Sequence, residues 1–171
     1  MEPRKRQEQI LDACDLLWKR GIDVNLVIVG KQGWLVEELA SKIRSHQELN
    51  HRLFWLEGIS DEYLEKIYEV SSCLIAASEG EGFGLPLIEA AQYKLPIMAR
   101  DIPVFREVAA EHAFYFEATN SNSLAKDISV WLELYKANEH VKSNDMPWLT
   151  WQQSANDLKN SLIYLKPVDY K

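Results

Sequence analysis

The sequence is poor in cysteine, with two in 171 residues, and it has only seven glycines and six prolines. Two cysteines cannot form a disulfide framework. Cys14 and Cys73 both lie in apolar segments, as buried reduced thiols in a cytosolic protein do. No Cys-x-x-Cys pair and no pair of histidines four residues apart is present, which argues against a metal site. No apolar run approaches the roughly 20 residues that a membrane-spanning helix needs, so we predict no transmembrane segment.

Basic charge is also scarce, because 19 lysines and arginines face 26 aspartates and glutamates and leave a formal net charge of −7. A general nucleic-acid-binding protein normally has a basic face, so we expect no nucleic acid as a partner. Apolar residues make up 47 % of the chain and include six tryptophans, which excludes a disordered protein. The length suits one well-packed domain and is short for two, so we predict a single domain over residues 1–171.

Short strands rich in Val, Ile and Leu alternate with helical patterns along almost the whole chain. Strands are predicted at 26–29, 53–56, 74–77, 97–99 and 114–116, the first of them buried on both faces. The first predicted helix ends at Gly21, and the second carries Leu35, Val36, Leu39 and Ile43 on one side. The third begins at Ser60, and three more cover 86–94, 123–136 and 150–165. This alternation predicts an α/β fold, with a Rossmann-like parallel sheet and helices on both faces.

Ligands of such sheets bind outside the carboxyl ends of the strands, where three loops of this chain should converge. These loops are 30–33, 57–60 and 78–85. The third contains Gly82 and Gly84, which we expect to adopt positive φ, and Pro86, which suits the first position of a helix. The backbone N–H groups of Phe83, Gly84 and Leu85 would then face a bound diphosphate. The alternative is an ordinary tight turn between a strand and a helix.

Two carboxylates, Glu81 and Glu89, flank this glycine turn. They cannot bind a phosphate, because like charges repel, whereas the hydroxyl groups of a sugar suit them. Glu89 taken alone would be explained by its place in the first turn of a helix, where a negative charge is stabilising. Together with the glycines, the two carboxylates indicate a nucleotide-sugar site.

The segment 78–91 resembles the signature of retaining GT-B glycosyltransferases of family 4. The likeness is greatest to mannosyl- and rhamnosyltransferases of bacterial polysaccharide and O-antigen biosynthesis. It extends over nearly the whole chain, with further matches at 2–5, 27–34, 58–62 and 99–108. It implies the C-terminal, donor-binding half of a GT-B fold. It also implies a cytoplasmic protein, or one that is peripheral at the inner face of the cytoplasmic membrane in the full-length enzyme.

The resemblance implies roles for matching residues. Glu81 would contact the donor sugar as the catalytic residue, and Glu89 would hydrogen-bond the ribose. Lys5 would neutralise the diphosphate with help from Arg4. The remaining implied donor contacts are the backbone of Gly82, Phe83, Gly84 and Leu85 for the sugar and diphosphate, and the loop of Gly58 and Ile59 for the base.

Lys31 could approach the phosphate from the turn at Gly30, or could simply be solvated. No metal or other cofactor is expected, because no Asp-x-Asp motif is present and Lys5 with helix 86–94 could stabilise the leaving diphosphate. The substrate would be a nucleoside-diphosphate sugar, with GDP-mannose suggested only by the resemblance. The acceptor would be a glycan or a lipid-linked glycan. Front-side attack and double displacement through a carboxylate remain alternative routes to retention.

The N-terminal acceptor domain of that family and the first strand of its donor domain, which should precede Glu2, are absent from the sequence. We therefore expect the chain alone to bind the donor weakly or not at all, and not to turn over. Helix 147–171 should pack near the domain boundary, with Trp148 and Trp151 partly exposed, which makes a homodimer in a crystal plausible. An epimerase or phosphorylase on the same scaffold, and a non-catalytic nucleotide-binding or interaction module, are the alternatives.

Overall fold

The computed structural model describes residues 1–163, and these form an α/β fold with parallel strand pairing. The strands are β1 (Leu26–Val29), β2 (Leu53–Leu56), β3 (Leu74–Ala76), β4 (Ile97–Arg100) and β5 (Phe114–Phe116). The helices are α1 (Gln7–Lys19), α2 (Glu37–Arg44), α3 (Asp61–Val70), α4 (Leu85–Gln92), α5 (Pro103–Ala109), α6 (Ser121–Lys136) and α7 (Trp151–Ile163), and a single 3₁₀ turn covers Pro3–Lys5.

Helix ends follow local sequence signals. Gly21 lies just beyond α1 at φ +75°, and its N–H donates to the Trp18 carbonyl while Ile22 N–H donates to Leu17, both at 3.0 Å. This pair of bonds satisfies the last carbonyls of the helix, and only glycine adopts that conformation cheaply. Ser60 caps α3 as predicted, with its Oγ accepting from Tyr63 N–H at 3.3 Å.

The predicted cap of α6 at Ser121 or Asn122 is wrong. Asn120 caps this helix, and its Oδ1 accepts from Ser123 N–H at 3.0 Å. Ser123 Oγ in turn accepts from the Asn120 N–H at 3.3 Å, so the two residues form a reciprocal capping box. The helix therefore begins two residues before the predicted start.

The strands form two sheets within residues 1–163 rather than the one predicted sheet. β1 pairs with β2, and β3, β4 and β5 form the second sheet with β5 at its edge as predicted. A cavity of about 710 Å³ separates β1 from β3 and is lined by consecutive residues of both strands. If a face of either strand lined the cavity, only every second residue would reach it, because alternate side chains point to opposite faces. Since consecutive residues line it, the edges of β1 and β3 face the cavity.

Two apolar cores support the sheets. The larger one surrounds α1, which packs against α6, and contains the fully buried Leu11, Leu17 and Leu53. The smaller one surrounds α4, β4 and α5, with Phe105 only 1 % exposed. Burial raises the pKa of the Cys14 thiol to about 12, so this thiol stays protonated in the core, and Cys73 is likewise a free thiol.

The burial of side chains and the helix bounds differ from the sequence predictions at two points and agree with them at two others. β1 is not buried on both faces, because Val27 is 37 % exposed, and Leu35 lies outside α2 with a left-handed φ of +51°. Trp148 and Trp151 are 41 % and 81 % exposed, as expected. Thr150 caps α7 by accepting from Gln153 N–H at 3.1 Å. The predicted end of this helix at residue 165 lies outside the described residues.

Candidate functional site

The segment before α1 connects the carboxyl ends of β1 and β3. The Met1 ammonium donates to the Lys31 carbonyl just after β1, and Glu79 N–H, just after β3, donates to the Arg4 carbonyl at 2.9 Å. Gln32 N–H reaches the Glu57 carboxylate after β2 at 3.1 Å. The loops after β1 and β2 therefore contact each other, and the N-terminal segment connects the loops after β1 and β3, so the three loops converge as predicted.

Gly84 shapes the glycine turn. It is buried at φ +94°, immediately before α4, and an added Cβ would lie 3.0 Å from the Phe105 ring. Glycine is required there by both backbone conformation and space. The prediction for Gly82 is wrong, since its φ lies outside the left-handed region and a Cβ would meet nothing within 4 Å. Pro86 occupies the second helical position rather than the first.

The turn leaves donors available at the start of α4. Among the described residues, the backbone N–H groups of Phe83, Gly84 and Leu85 have no hydrogen-bond acceptor. Phe83 and Leu85 are 55 % and 44 % exposed, so solvent or a ligand can reach this turn. These N–H groups lie at the positive end of the helix dipole, where an anion is favoured.

Glu81 is held by two side chains. Arg4 forms an ion pair with it, and Ser78 Oγ donates to its Oε1 at 2.8 Å. Partial burial opposes ionisation of this carboxyl, but the hydrogen bonds from Arg4 and Ser78 outweigh that effect and lower its pKa. Arg4 also donates to the Gly80 carbonyl at 2.8 Å. Glu81 is thus an oriented, ionised carboxylate, and the predicted contact of Arg4 with a phosphate stays a prediction.

Glu89 lies in the second turn of α4, not in the first turn as predicted, because the helix already begins at Leu85. The stabilisation of a negative charge by the helix dipole falls off within the first turn, which removes the simple structural explanation for this carboxylate. Its Oε2 accepts a hydrogen bond of 2.8 Å from the hydroxyl of Tyr68 on α3. Sequence reasoning missed Tyr68, since no local pattern links it to a residue 21 positions away.

The structure also brings the N-terminal cation to the glycine turn. Lys5, Glu81 and Gly84 line the same cavity between β1 and β3, although 76 residues separate Lys5 from Glu81 in the sequence. The positive charge of Lys5 is one of the causes that lower the pKa of Glu81. The cation and the turn that the sequence analysis assigned to a diphosphate therefore border one space.

The loops after β1 and β2 hold the other predicted residues. Gly30 and Gly58 both adopt positive φ, at +127° and +63°. A Cβ on Gly58 would lie 3.7 Å from Cε of Lys31, so the stem of that exposed lysine lies beside the Gly58 and Ile59 loop. Trp55 Nε1 fixes the first turn by donating to the Gly30 carbonyl at 2.8 Å. These residues follow the carboxyl ends of β1 and β2, as the glycine turn follows the carboxyl end of β3.

In the part of the chain that the structure describes, no group of three or more histidine, cysteine, aspartate or glutamate side chains could hold a metal ion. In the same residues, no helix combines the length and the apolar character needed to cross a membrane.

Parallel strands, convergent carboxyl-end loops and a glycine turn at a helix start define a Rossmann-like α/β domain. Residues 1–146 match the family described as glycosyl transferases group 1, and the chain belongs to this family. It is 54 % identical over 168 residues to a serotype-specific mannosyltransferase, WbdA, of Escherichia coli. That alignment covers 98 % of this chain and 21 % of the relative, so the chain spans about a fifth of the length of that protein.

Solved structures show the same GT-B fold. The C-terminal domain of a glycosyl transferase group 1 protein (LpcC) from Francisella tularensis superposes with a TM-score of 0.70 at 17 % identity, covering 97 % of this chain and 83 % of that one. Anabaena HepE in complex with UDP-glucose superposes with a TM-score of 0.74 at 19 % identity, covering 95 % of this chain and 46 % of that one. The predicted fold class and membership of a glycosyltransferase family are confirmed.

Proposed function

We propose that this chain is the donor-binding part of a glycosyltransferase. It would serve the transfer of a hexosyl group, with retention, from a nucleoside-diphosphate sugar to a glycan or lipid-linked acceptor. The observation that carries this proposal is the arrangement of Glu81 and Glu89 around the turn at Gly84, with Lys5 beside it. The relative WbdA is named a mannosyltransferase, which favours mannose as the hexose.

The diphosphate would bind at the start of α4. The N–H groups of Phe83, Gly84 and Leu85 have no acceptor of their own among the described residues, and Lys5 supplies a positive charge nearby. Fixed donors of this kind stabilise the charge that develops on a leaving diphosphate without reorganising during the reaction. This arrangement would stabilise the leaving diphosphate without a metal ion.

Glu81 would accept hydrogen bonds from hydroxyls of the donor sugar. Its ion pair with Arg4 keeps it ionised, and it also reduces the repulsion between this carboxylate and a nearby diphosphate. Ser78 holds the other carboxylate oxygen at 2.8 Å and so fixes the orientation of the group. A carboxylate oriented before the substrate arrives is what precise placement of the anomeric carbon requires.

Glu89 would bind the ribose hydroxyls, and the loop of Gly58 and Ile59 would frame the base. Which base is bound is a separate question, because HepE was solved with UDP-glucose whereas a mannosyltransferase suggests GDP-mannose. A cytoplasmic location, at the membrane face or in solution, fits a nucleotide-sugar donor. Turnover is expected to need the acceptor side of the complete enzyme, so donor binding is the activity to measure on this chain.

Calorimetric titration with GDP, UDP, ADP and dTDP tests the proposal. One nucleotide should bind the unmodified chain best, and Glu89→Ala should weaken it about tenfold or more, because a hydrogen bond to a charged group is lost. Glu107→Ala is the matched control, since Glu107 is an exposed carboxylate on α5 that the proposal gives no contact with the nucleotide. Equal affinity of the unmodified and Glu89→Ala chains would refute the ribose assignment.

A further inference from the structure

A single hydrogen bond connects α3 to the carboxylate on α4. The Tyr68 hydroxyl donates to Glu89 Oε2 at 2.8 Å, and Tyr68 has no part in the proposed binding of sugar, diphosphate or base. The tyrosine is half-buried, and its ring packs against the smaller apolar core. This contact therefore lies between the donor site and the interior of the fold.

The ring of Tyr68 is itself held in place. It stacks on Tyr93, directly after α4, with ring centroids 5.5 Å apart and planes only 8° from parallel. Tyr93 follows Glu89 by four residues, so both lie on the same side of α4 and both contact Tyr68. A tyrosine has few rotatable bonds, and stacking fixes the direction in which its hydroxyl points.

This bond uses one oxygen of the carboxylate and leaves the other. Oε2 accepts from Tyr68, so Oε1 retains its lone pairs for a ligand hydroxyl. Burial raises the pKa of Tyr68, and the adjacent charge of Glu89 raises it further. The phenol therefore remains a hydrogen-bond donor throughout the neutral pH range, and the carboxylate is held in one orientation.

The same helix also connects the carboxylate to the loop assigned to the base. α3 begins directly after Gly58 and Ile59, where Ser60 caps its first turn, and Tyr68 lies in its last turn. A shift of α3 would therefore move both the base loop and the Tyr68 hydroxyl that bonds to Glu89. The loop assigned to the base and the carboxylate assigned to the ribose would thus be linked through this helix.

We propose that Tyr68 is a positioning residue that orients Glu89 toward the vicinal hydroxyls of the nucleotide ribose. This inference rests on the proposed function, in which Glu89 binds that ribose. Tyr68 does not contact the donor; it acts through Glu89. Its removal should therefore weaken recognition of the ribose hydroxyls and leave the contacts to the diphosphate and base intact.

The test compares the best-binding nucleoside diphosphate with its 2′,3′-dideoxy analogue by calorimetry. The dissociation constant of the dideoxy analogue divided by that of the nucleotide measures how strongly the ribose hydroxyls are recognised. Tyr68→Phe keeps the stacked ring and should reduce this ratio about tenfold, as expected for loss of a hydrogen bond to a carboxylate. Tyr63→Phe, on the exposed side of the same helix, should leave the ratio unchanged.

The outcomes separate this inference from the proposed function. If the unmodified chain binds no nucleotide, or binds both analogues equally, the ribose assignment of Glu89 fails and this inference fails with it. If Glu89→Ala abolishes the discrimination but Tyr68→Phe retains it, only the role of Tyr68 is overturned. If Tyr68→Phe weakened the binding of the nucleotide and of its dideoxy analogue equally, the role of Tyr68 would also be overturned, because the loss of a merely structural residue would weaken both. Melting temperatures verify that each variant is folded.

Discussion

Gly84→Ala tests whether the glycine turn is as constrained as the structure indicates. An alanine at φ +94° is strained, at a cost of roughly 1–3 kcal/mol in the free energy of unfolding. Its Cβ would also lie 3.0 Å and 3.1 Å from two atoms of the Phe105 ring. That ring is 1 % exposed and cannot move aside without disturbing the smaller core. We expect the melting temperature to fall by about 3–10 °C.

The measurement is urea unfolding followed by circular dichroism, combined with calorimetry of nucleotide binding. Gly80→Ala and Gly82→Ala are matched controls, because a Cβ at either position meets nothing within 4 Å and neither residue has a left-handed φ. Both controls should lie within about 0.5 kcal/mol of the unmodified chain. Gly84→Ala should also bind nucleotide less tightly, because the N–H groups before α4 are displaced. Equal stability of Gly84→Ala and Gly80→Ala would refute this description of the turn.

Three further predictions concern charge and metal dependence. Hydrogen bonds from Arg52 and His51 lower the pKa of Glu48 to about 2, below the roughly 4.3 of a glutamate in the unfolded chain. The ionised carboxylate therefore stabilises the fold fully above about pH 4.3, and this stabilisation is lost as the pH falls toward 2. The acid-unfolding curve of Glu48→Gln should lack this loss of stability between about pH 4.3 and pH 2. Arg100→Ala should lower the unfolding free energy by roughly 1–3 kcal/mol in urea titrations, because this buried side chain donates to two carbonyls and to Gln9 at 2.6–2.8 Å and these acceptors would lose their donor. A metal chelator should leave nucleotide binding unchanged in calorimetry, and a loss of binding would contradict the role given to Lys5.

Local signals in the sequence predicted much of the fold. Gly21 and Ser60 mark helix ends through hydrogen bonds to residues at most four positions away, so their roles can be read from neighbours alone. The five strands were likewise found from short apolar runs. The division into two sheets was not predicted, because pairing between strands is a non-local property that no local pattern reports.

The candidate site shows the same limit. Its residue types and spacing in the glycine turn were predicted, but the contacts that orient them were not. Arg4 reaches Gly80 and Glu81 across more than 70 residues of sequence, and Tyr68 reaches Glu89 across 21. The error at Glu89 arose from the helix boundary: its carboxylate lies beyond the first turn because α4 begins at Leu85.

The most direct test of the central claim is a crystal structure of the chain with the nucleoside diphosphate that binds best. We expect the diphosphate within hydrogen-bond distance of the N–H groups of Phe83 to Leu85, and the ribose hydroxyls at the free oxygen of Glu89. Lys5 should lie within ion-pair distance of the diphosphate. A nucleotide bound elsewhere, or bound at this turn with its ribose away from Glu89, would contradict the account.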